Sequence, residues 1–222
     1  GVSRLDNPTP SSVLDKASWK PPVIINTHTG QTSFEDKDQL WVDNVSSSRF
    51  FGRVYECNAE FRSNGQHNGR GGSFPAPLTF SYSADGGSTW STKQITPAGT
   101  NGSGPNLFGL SGCTVRTDSH GTVYYAGLGF NRTSAPNTVT VSRGTLSGGG
   151  LSWSAPTFIN ATTSPSTLND KEWIAVDRNA GSAYRDRVYV TWTRFLFNPH
   201  NGAYTQSPIF FASSSDGGTT FT

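Results

Sequence analysis

The stretch "SADGGSTW" at residues 83–90 reads Ser83-Ala84-Asp85-Gly86-Gly87-Ser88-Thr89-Trp90. Near the other end, "SSDGGTTF" at 214–221 reads Ser214-Ser215-Asp216-Gly217-Gly218-Thr219-Thr220-Phe221. Both place serine, aspartate, glycine, threonine and an aromatic ring at the same offsets. Asp-Gly-Gly is turn chemistry, because aspartate accepts hydrogen bonds from nearby backbone N–H groups and glycine takes positive φ at no steric cost. Apolar runs lead into each box, "LTFSYS" (78–83) and "IFFASS" (209–214). The expected task of Ser83, Asp85, Gly87 and Trp90, and of Ser214, Asp216, Gly218 and Phe221, is to staple a hairpin. Neither aspartate is expected to act on a substrate.

The boxes belong to a longer repeat, and the repeat decides the architecture. "DKDQLWVD" (36–43) returns as "DKEWIAVD" (170–177), and "RVYECNAEF" (53–61) returns as "RVYVTWTRF" (187–195). "HNG" (67–69) returns at 200–202, so four features recur in one order. A degenerate unit lies between them. "CTVRTDSHGTVYYAGLGF" (113–130) supplies an apolar run, Asp118, a Val-Tyr pair and Phe130, and "GGGLSWS" (148–154) replaces the box without its aspartate. Val-Tyr pairs begin at Val54, Val123 and Val188, so one unit is about 66 residues.

Each unit reads as four short strands. The first is an apolar run at 39–42, 113–116 or 173–176, and the second begins at the Val-Tyr pair. The third precedes the box and the fourth follows it ("TKQITP", 92–97; "PTFINA", 156–161). Such sheets in tandem predict an all-β chain with the blades of a β-propeller. A β-sandwich is the alternative, though it needs no such regular repeat. The predicted blades cover about 31–97, 98–161 and 162–222, after an N-terminal segment (1–30) in which "PPVIINTH" (21–28) offers a latch strand.

The box resembles the Asp-box, or BNR repeat, of sialidases and of other propellers such as sortilin-type receptors and some glycoside hydrolases. The resemblance extends over all three units. It implies a secreted, sialidase-like propeller of glycoside hydrolase type that acts on or binds acidic glycans. A non-catalytic propeller that binds glycans or proteins, or serves as a scaffold, carries the same motif. Sialidases hold the sialic acid carboxylate with an arginine triad and usually open with Phe/Tyr-Arg-Ile-Pro, which this chain lacks. Their tyrosine nucleophile and its glutamate partner come from later blades. Propellers have about 4–8 blades, so a further fragment, a second chain or a second copy is expected to complete the ring.

Strand parity sorts the remaining candidates. The boxes fall on one end of the sheets together with Asp43, Asp118 and Asp177, which read as turn caps. On the opposite end Asp36, Lys37 and Asp38, with Asp170, Lys171 and Glu172, are expected just before the first strands, around the channel mouth. Asp36, Asp38, Asp170 and Glu172 are candidate general acids and bases, or oxygen ligands for Ca²⁺. A solvated Asp-Lys pair or a blade-to-blade salt bridge is the competing reading. Arg62, Arg132 and Arg194 stand beside Phe61, Phe130 and Phe195 at the ends of second strands. Guanidinium binds carboxylate bidentately, so these three are candidate substrate contacts, or else ordinary surface arginines. His67, His200, Lys37 and Lys171 complete that candidate set. No His-x-x-x-His or Cys-x-x-Cys spacing exists, so zinc is not expected.

Composition narrows the partners. The chain has 222 residues, only 14% of them charged, against roughly 25% in an average soluble domain. The net charge of +2 comes without a cluster of Lys and Arg, which leaves no nucleic-acid footprint. No apolar run approaches the roughly 20 residues of a membrane span. Methionine is absent even at position 1, and four Asn-x-Ser/Thr sequons begin at Asn44, Asn101, Asn131 and Asn160. A processed, exported chain is the expectation. Cys57 and Cys113 then form one disulfide or remain two buried thiols.

Overall fold

Three antiparallel sheets follow one another along the chain. The computed structural model describes residues 1–27, 33–63, 73–74, 78–95, 109–130, 137–147 and 150–222. Sheet one is the meander β1 (Ser33–Val42), β2 (Val54–Ser63), β4 (Leu78–Ser83) and β5 (Ser91–Ile95), with the short β3 (Ser73–Phe74) on the end of β2. Sheet two is β6 (Gly109–Thr117), β7 (Val123–Phe130), β8 (Asn137–Ser147) and β10 (Thr157–Thr162), with β9 (Gly150–Trp153) folded back on β8. Sheet three is β11 (Thr167–Val176), β12 (Val188–Phe197) and β14 (Ile209–Ser214), with β13 (Tyr204–Gln206) beside the end of β12. Ser213 and Thr222 exchange backbone hydrogen bonds of 2.9 and 3.0 Å after the second box.

Second strands begin at Val54, Val123 and Val188, where the repeat places them. First strands are longer than their apolar runs. They start at Ser33, Gly109 and Thr167, so Asp36–Asp38 and Asp170–Glu172 lie inside them and not before them.

Alternation along the strands builds two cores. Tyr55, Cys57, Ala59, Leu78 and Phe80 of sheet one pack against Cys113, Val115, Val123, Tyr125 and Leu146 of sheet two. The other face of sheet two presents Tyr124, Ala126, Leu128, Val139 and Val141 to Ile174, Val188, Val190 and Trp192 of sheet three. Successive strand residues point to opposite faces, so a sheet buried on both sides needs continuous apolar runs such as "VYYAGLG". Tyr55, Tyr124 and Tyr189 are repeat equivalents. The first two are covered by the following sheet at 0% and 2% exposure, and Tyr189 is half-buried.

Polar clasps join the sheets near the first strands. Gln39 Oε1 accepts from the Val115 N–H at 2.8 Å, and Thr114 Oγ1 accepts from the Ile174 N–H at 3.1 Å. These are the same contact repeated one sheet later. A disulfide joins Cys57 of β2 to Cys113 of β6 across the first interface. At the far end, Ser119 donates from N and Oγ to Asp186 at 2.7 and 2.8 Å.

The N-terminal segment forms no latch strand within its described part. Val23 makes an isolated bridge with Val2, and the preceding Pro21 and Pro22 have no N–H to pair. Arg4 holds this segment on sheet one by donating to Ser88 Oγ at 2.8 Å and to the Gly86 carbonyl at 3.2 Å.

Candidate functional site

Each first strand is interrupted by a bulge at the same point of the repeat. Register shifts fall between Asp36 and Gln39, Ser111 and Thr114, and Asp170 and Trp173. The residue that absorbs the turn has positive φ: Lys37 at 59°, Gly112 at 69° and Lys171 at 59°. An aspartate pins the outer two. Asp36 Oδ1 accepts from the Lys37 N–H, and Asp170 Oδ1 from the Lys171 N–H, both at 2.8 Å. The lysine amines fold back on the same carboxylates at 3.5 and 3.3 Å. Asp36 and Asp170 therefore spend one oxygen holding the backbone. A bulge re-aims the side chains around it.

The three bulges meet around one cavity of about 300 Å³, lined by Lys37, Asp38, Gly112, Lys171, Glu172 and Trp173 among others. Sequence reading assembled four of these residues, together with Asp170, which also lines the cavity. Asp36 is not part of its wall. Gly112 and Trp173 were missed. Gly112 falls in the degenerate unit, where Ser111-Gly112-Cys113 replaces an acid-lysine-acid triplet, and only the register shift exposes the equivalence. Trp173 reads as a core residue of an apolar run, yet it is 51% exposed.

Glu172 is the chemically distinctive group here. It is 6% exposed, and its carboxyl is pushed up to about 8 by burial. Its own backbone N–H opposes the shift, the Asp170 charge adds to it, and Lys171 and Lys37 oppose it. Burial disfavours the charged form of a carboxyl, so Glu172 is a neutral acid at pH 7 and carries a proton to donate. Trp173 supplies an aromatic face at the rim. Behind it, the Arg116 guanidinium lies 4.9 Å from the Trp173 ring and 4.2 Å from that of Trp41, and Arg178 lies 4.6 Å from Trp41.

The other candidates lie elsewhere. Arg194 clasps two sheets together, with Nε on Asn169 Oδ1, Nη2 on the Asn160 carbonyl (both 3.0 Å) and its guanidinium 4.6 Å from the Phe210 ring. Two of its nitrogens are thereby engaged within the fold. Arg62 pairs with Ser33 in the β1–β2 ladder. His200 sits in the exposed turn after β12, with its N–H on Asn198 Oδ1 at 2.8 Å. Arg132 and His67 lie outside the described residues. No group of three or more His, Cys, Asp or Glu is arranged to hold a metal ion among the described residues.

Both boxes are turn staples. Asp85 Oδ1 accepts from Ser83 Oγ (2.7 Å) and the Thr89 N–H (2.8 Å), while Oδ2 takes Thr89 Oγ1 at 2.6 Å. Asp216 repeats this with Ser214 and Thr220 at 2.7, 2.9 and 2.6 Å. Gly87 and Gly218 have φ of 89° and 79°, and their N–H groups donate to Ser83 and Ser214. The Trp90 indole closes its turn on the Gly87 carbonyl at 3.0 Å. The threonine contacts first, and then the serine hydroxyl, hold both carboxyls well below the usual range. These bonds hold each carboxylate to its own turn. Asp43, Asp118 and Asp177 cap the first-to-second turns in the same manner.

No known family model and no curated protein matches this chain.

Proposed function

We propose that the chain is part of a sialidase-like β-propeller whose bulge cavity binds an acidic glycan and cleaves a glycosidic bond. The carrying observation is the buried Glu172, its carboxyl raised by burial, in a cavity also lined by Trp173, Lys37 and Lys171. Glu172 is the general acid, placing its proton on the leaving-group oxygen. Asp170 or Asp38, each lining the same cavity, is the base that takes a proton from the water attacking the anomeric carbon, while the leaving group departs with the Glu172 proton. Lys37 and Lys171 draw the anionic sugar, and the Trp173 ring stacks on the apolar face of a pyranose. Tandem four-stranded meanders with side-by-side first strands support the propeller architecture. The half-buried Tyr189 face fits a further sheet at the place where Tyr55 and Tyr124 are covered. The Cys57–Cys113 disulfide favours an extracellular setting.

A non-catalytic glycan-binding propeller is the second reading. Arg194, one candidate of the proposed arginine set, makes two hydrogen bonds within the fold. Release of a fluorogenic leaving group from sialosides and glucuronides decides between the two. Hydrolysis that Glu172→Gln lowers about a hundredfold or more supports catalysis, in line with general-acid contributions. Binding without release, undiminished in Glu172→Gln, supports the second reading.

A further inference from the structure

Among the four sequons, Asn160-Ala161-Thr162 falls in β10, the outer edge strand of sheet two. Ladder pairing with β8 breaks between Ile159 and Thr162, and Asn160 absorbs the break with a φ of 51°. Ile159 before it is buried, whereas Asn160 and Ala161 are exposed. A bulge re-aims a side chain that the regular ladder would place elsewhere. The fold itself holds this geometry. The Asn160 carbonyl accepts from Arg194 Nη2 at 3.0 Å, and the Thr162 hydroxyl accepts from the Ser164 N–H at 3.2 Å. The Asn160 side chain takes no part in either bond, so substitution of its amide nitrogen breaks neither. The sequon at Asn44 differs in its setting. It lies in the first turn of sheet one, where Ser47 Oγ reaches the Ser119 carbonyl of the neighbouring turn at 3.4 Å. Those at Asn101 and Asn131 lie outside the described residues.

We propose that Asn160 is a site of N-glycosylation, taking an oligosaccharide from a lipid pyrophosphate carrier. The anomeric carbon of the sugar forms a bond to the Asn160 amide nitrogen as its bond to the pyrophosphate oxygen breaks. The amide gives up one proton, and the lipid pyrophosphate leaves with the bonding electrons. Thr162 supplies the hydroxyl that the acceptor motif requires, and Ala161 between them is not proline. A glycan is bulky and solubilising, and it needs a surface position. On β10 that bulk has a physical use. An edge strand presents unpaired N–H and C=O groups that another chain can pair with, and proteins guard such edges with charge, proline or a cover. The sequence of β10 is TFINAT, with neither a charge nor a proline. A glycan at Asn160 guards the edge in their place. This site requires the extracellular setting that the Cys57–Cys113 disulfide favours, and it owes nothing to the bulge cavity.

Secretion of the chain behind a cleavable leader, from cultured eukaryotic cells, tests the site. Intact mass and peptide mapping are compared before and after peptide-N-glycosidase. Asn160 is expected to carry glycan in most molecules and to be deamidated by the enzyme. Asn160→Gln and Thr162→Ala should each abolish the modification at this position, whereas Thr162→Ser, which keeps the hydroxyl, should retain it. Should Asn160→Gln fail to be secreted, the contrast between Thr162→Ala and Thr162→Ser carries the same expectation. Enzymatic removal of the glycan from the folded protein should raise its self-association in light scattering, and unchanged scattering overturns the edge-guarding role. Secreted protein with Asn160 bare, or glycan at Asn160 that survives Thr162→Ala, overturns the site. The same mass spectra show whether Cys57 and Cys113 are joined. An intact disulfide with a bare Asn160 overturns the glycan site alone, and free thiols with a bare Asn160 overturn the extracellular reading as well.

Discussion

The Glu172 carboxyl of β11 lies over the Cα of Gly112 in β6, in the space that a side chain at position 112 would need. A Cβ there would stand 2.7 Å from Glu172 Cδ and 2.8 Å from Oε2. Glycine thus meets two demands at once, a φ of 69° and room for a buried acid from the next sheet. Lys37 and Lys171 satisfy only the first. The seat of Glu172 is built jointly by two sheets, and neither strand alone defines it.

Replacing Gly112 with alanine is expected to destabilise the fold by about 1–3 kcal/mol, from left-handed backbone strain and displacement of the Glu172 carboxyl. Urea denaturation measures the loss. An unchanged midpoint would show that the carboxyl does not occupy that space.

Stability should fall as pH rises from about 5 to about 8. The carboxyls of Glu172 and Glu56 are raised to about 8 and about 7, so the native state holds protons that the unfolded chain has released. Their contribution is complete below the unfolded carboxyl value and is lost as pH passes the folded values. The slope is at most about 1.4 kcal/mol per pH unit for each group. Glu172→Gln should flatten the decline across the whole window and Glu56→Gln its part below about pH 7, as read from urea midpoints across the range. In acid the sign reverses. Asp85 and Asp216, held low by their threonine and serine partners, contribute stability above the unfolded value and lose it as pH falls through their folded values.

Ser83→Ala is expected to cost about 1–3 kcal/mol without changing ligand binding at the bulge cavity. The Ser83 hydroxyl is buried, donates to Asp85 and accepts from the Gly87 N–H at 2.7 Å, so its loss leaves two groups short of a partner. Calorimetric melting together with a binding titration separates the two effects. A variant of unaltered stability that loses ligand would reverse the assignment of the box as a staple.

Reduction of Cys57–Cys113 should lower stability by about 4 kcal/mol, the chain-entropy value for a separation of 56 residues. Both sulfurs are buried between sheets one and two, so reduction should become efficient only once that interface opens. Urea unfolding of the oxidised protein and of a Cys57→Ala, Cys113→Ala double variant gives the difference. Rapid reduction of the folded protein by dithiothreitol would contradict the buried placement.

Local chemistry determined much of this protein in advance. Asp-Gly-Gly between two apolar runs needs only its neighbours to form a turn, so the boxes were legible at positions 83–90 and 214–221. The Val-Tyr pairs located the second strands to the residue, because a repeat preserves register. The acid-lysine runs were legible as candidates for the same reason. What sequence could not supply was direction across sheets. A bulge changes which side chains face inward, and its third copy, Ser111-Gly112-Cys113, shares no side-chain chemistry with the other two. Arg194 looked equivalent to a ligand contact and became a clasp, since its neighbours Asn169 and Asn160 come from elsewhere in the chain. The raised carboxyls of Glu172 and Glu56 likewise follow from burial, a property of packed sheets and not of any segment. Turn and strand identity depend on interactions over a few residues, whereas cavity, burial and charge state depend on which sheets meet.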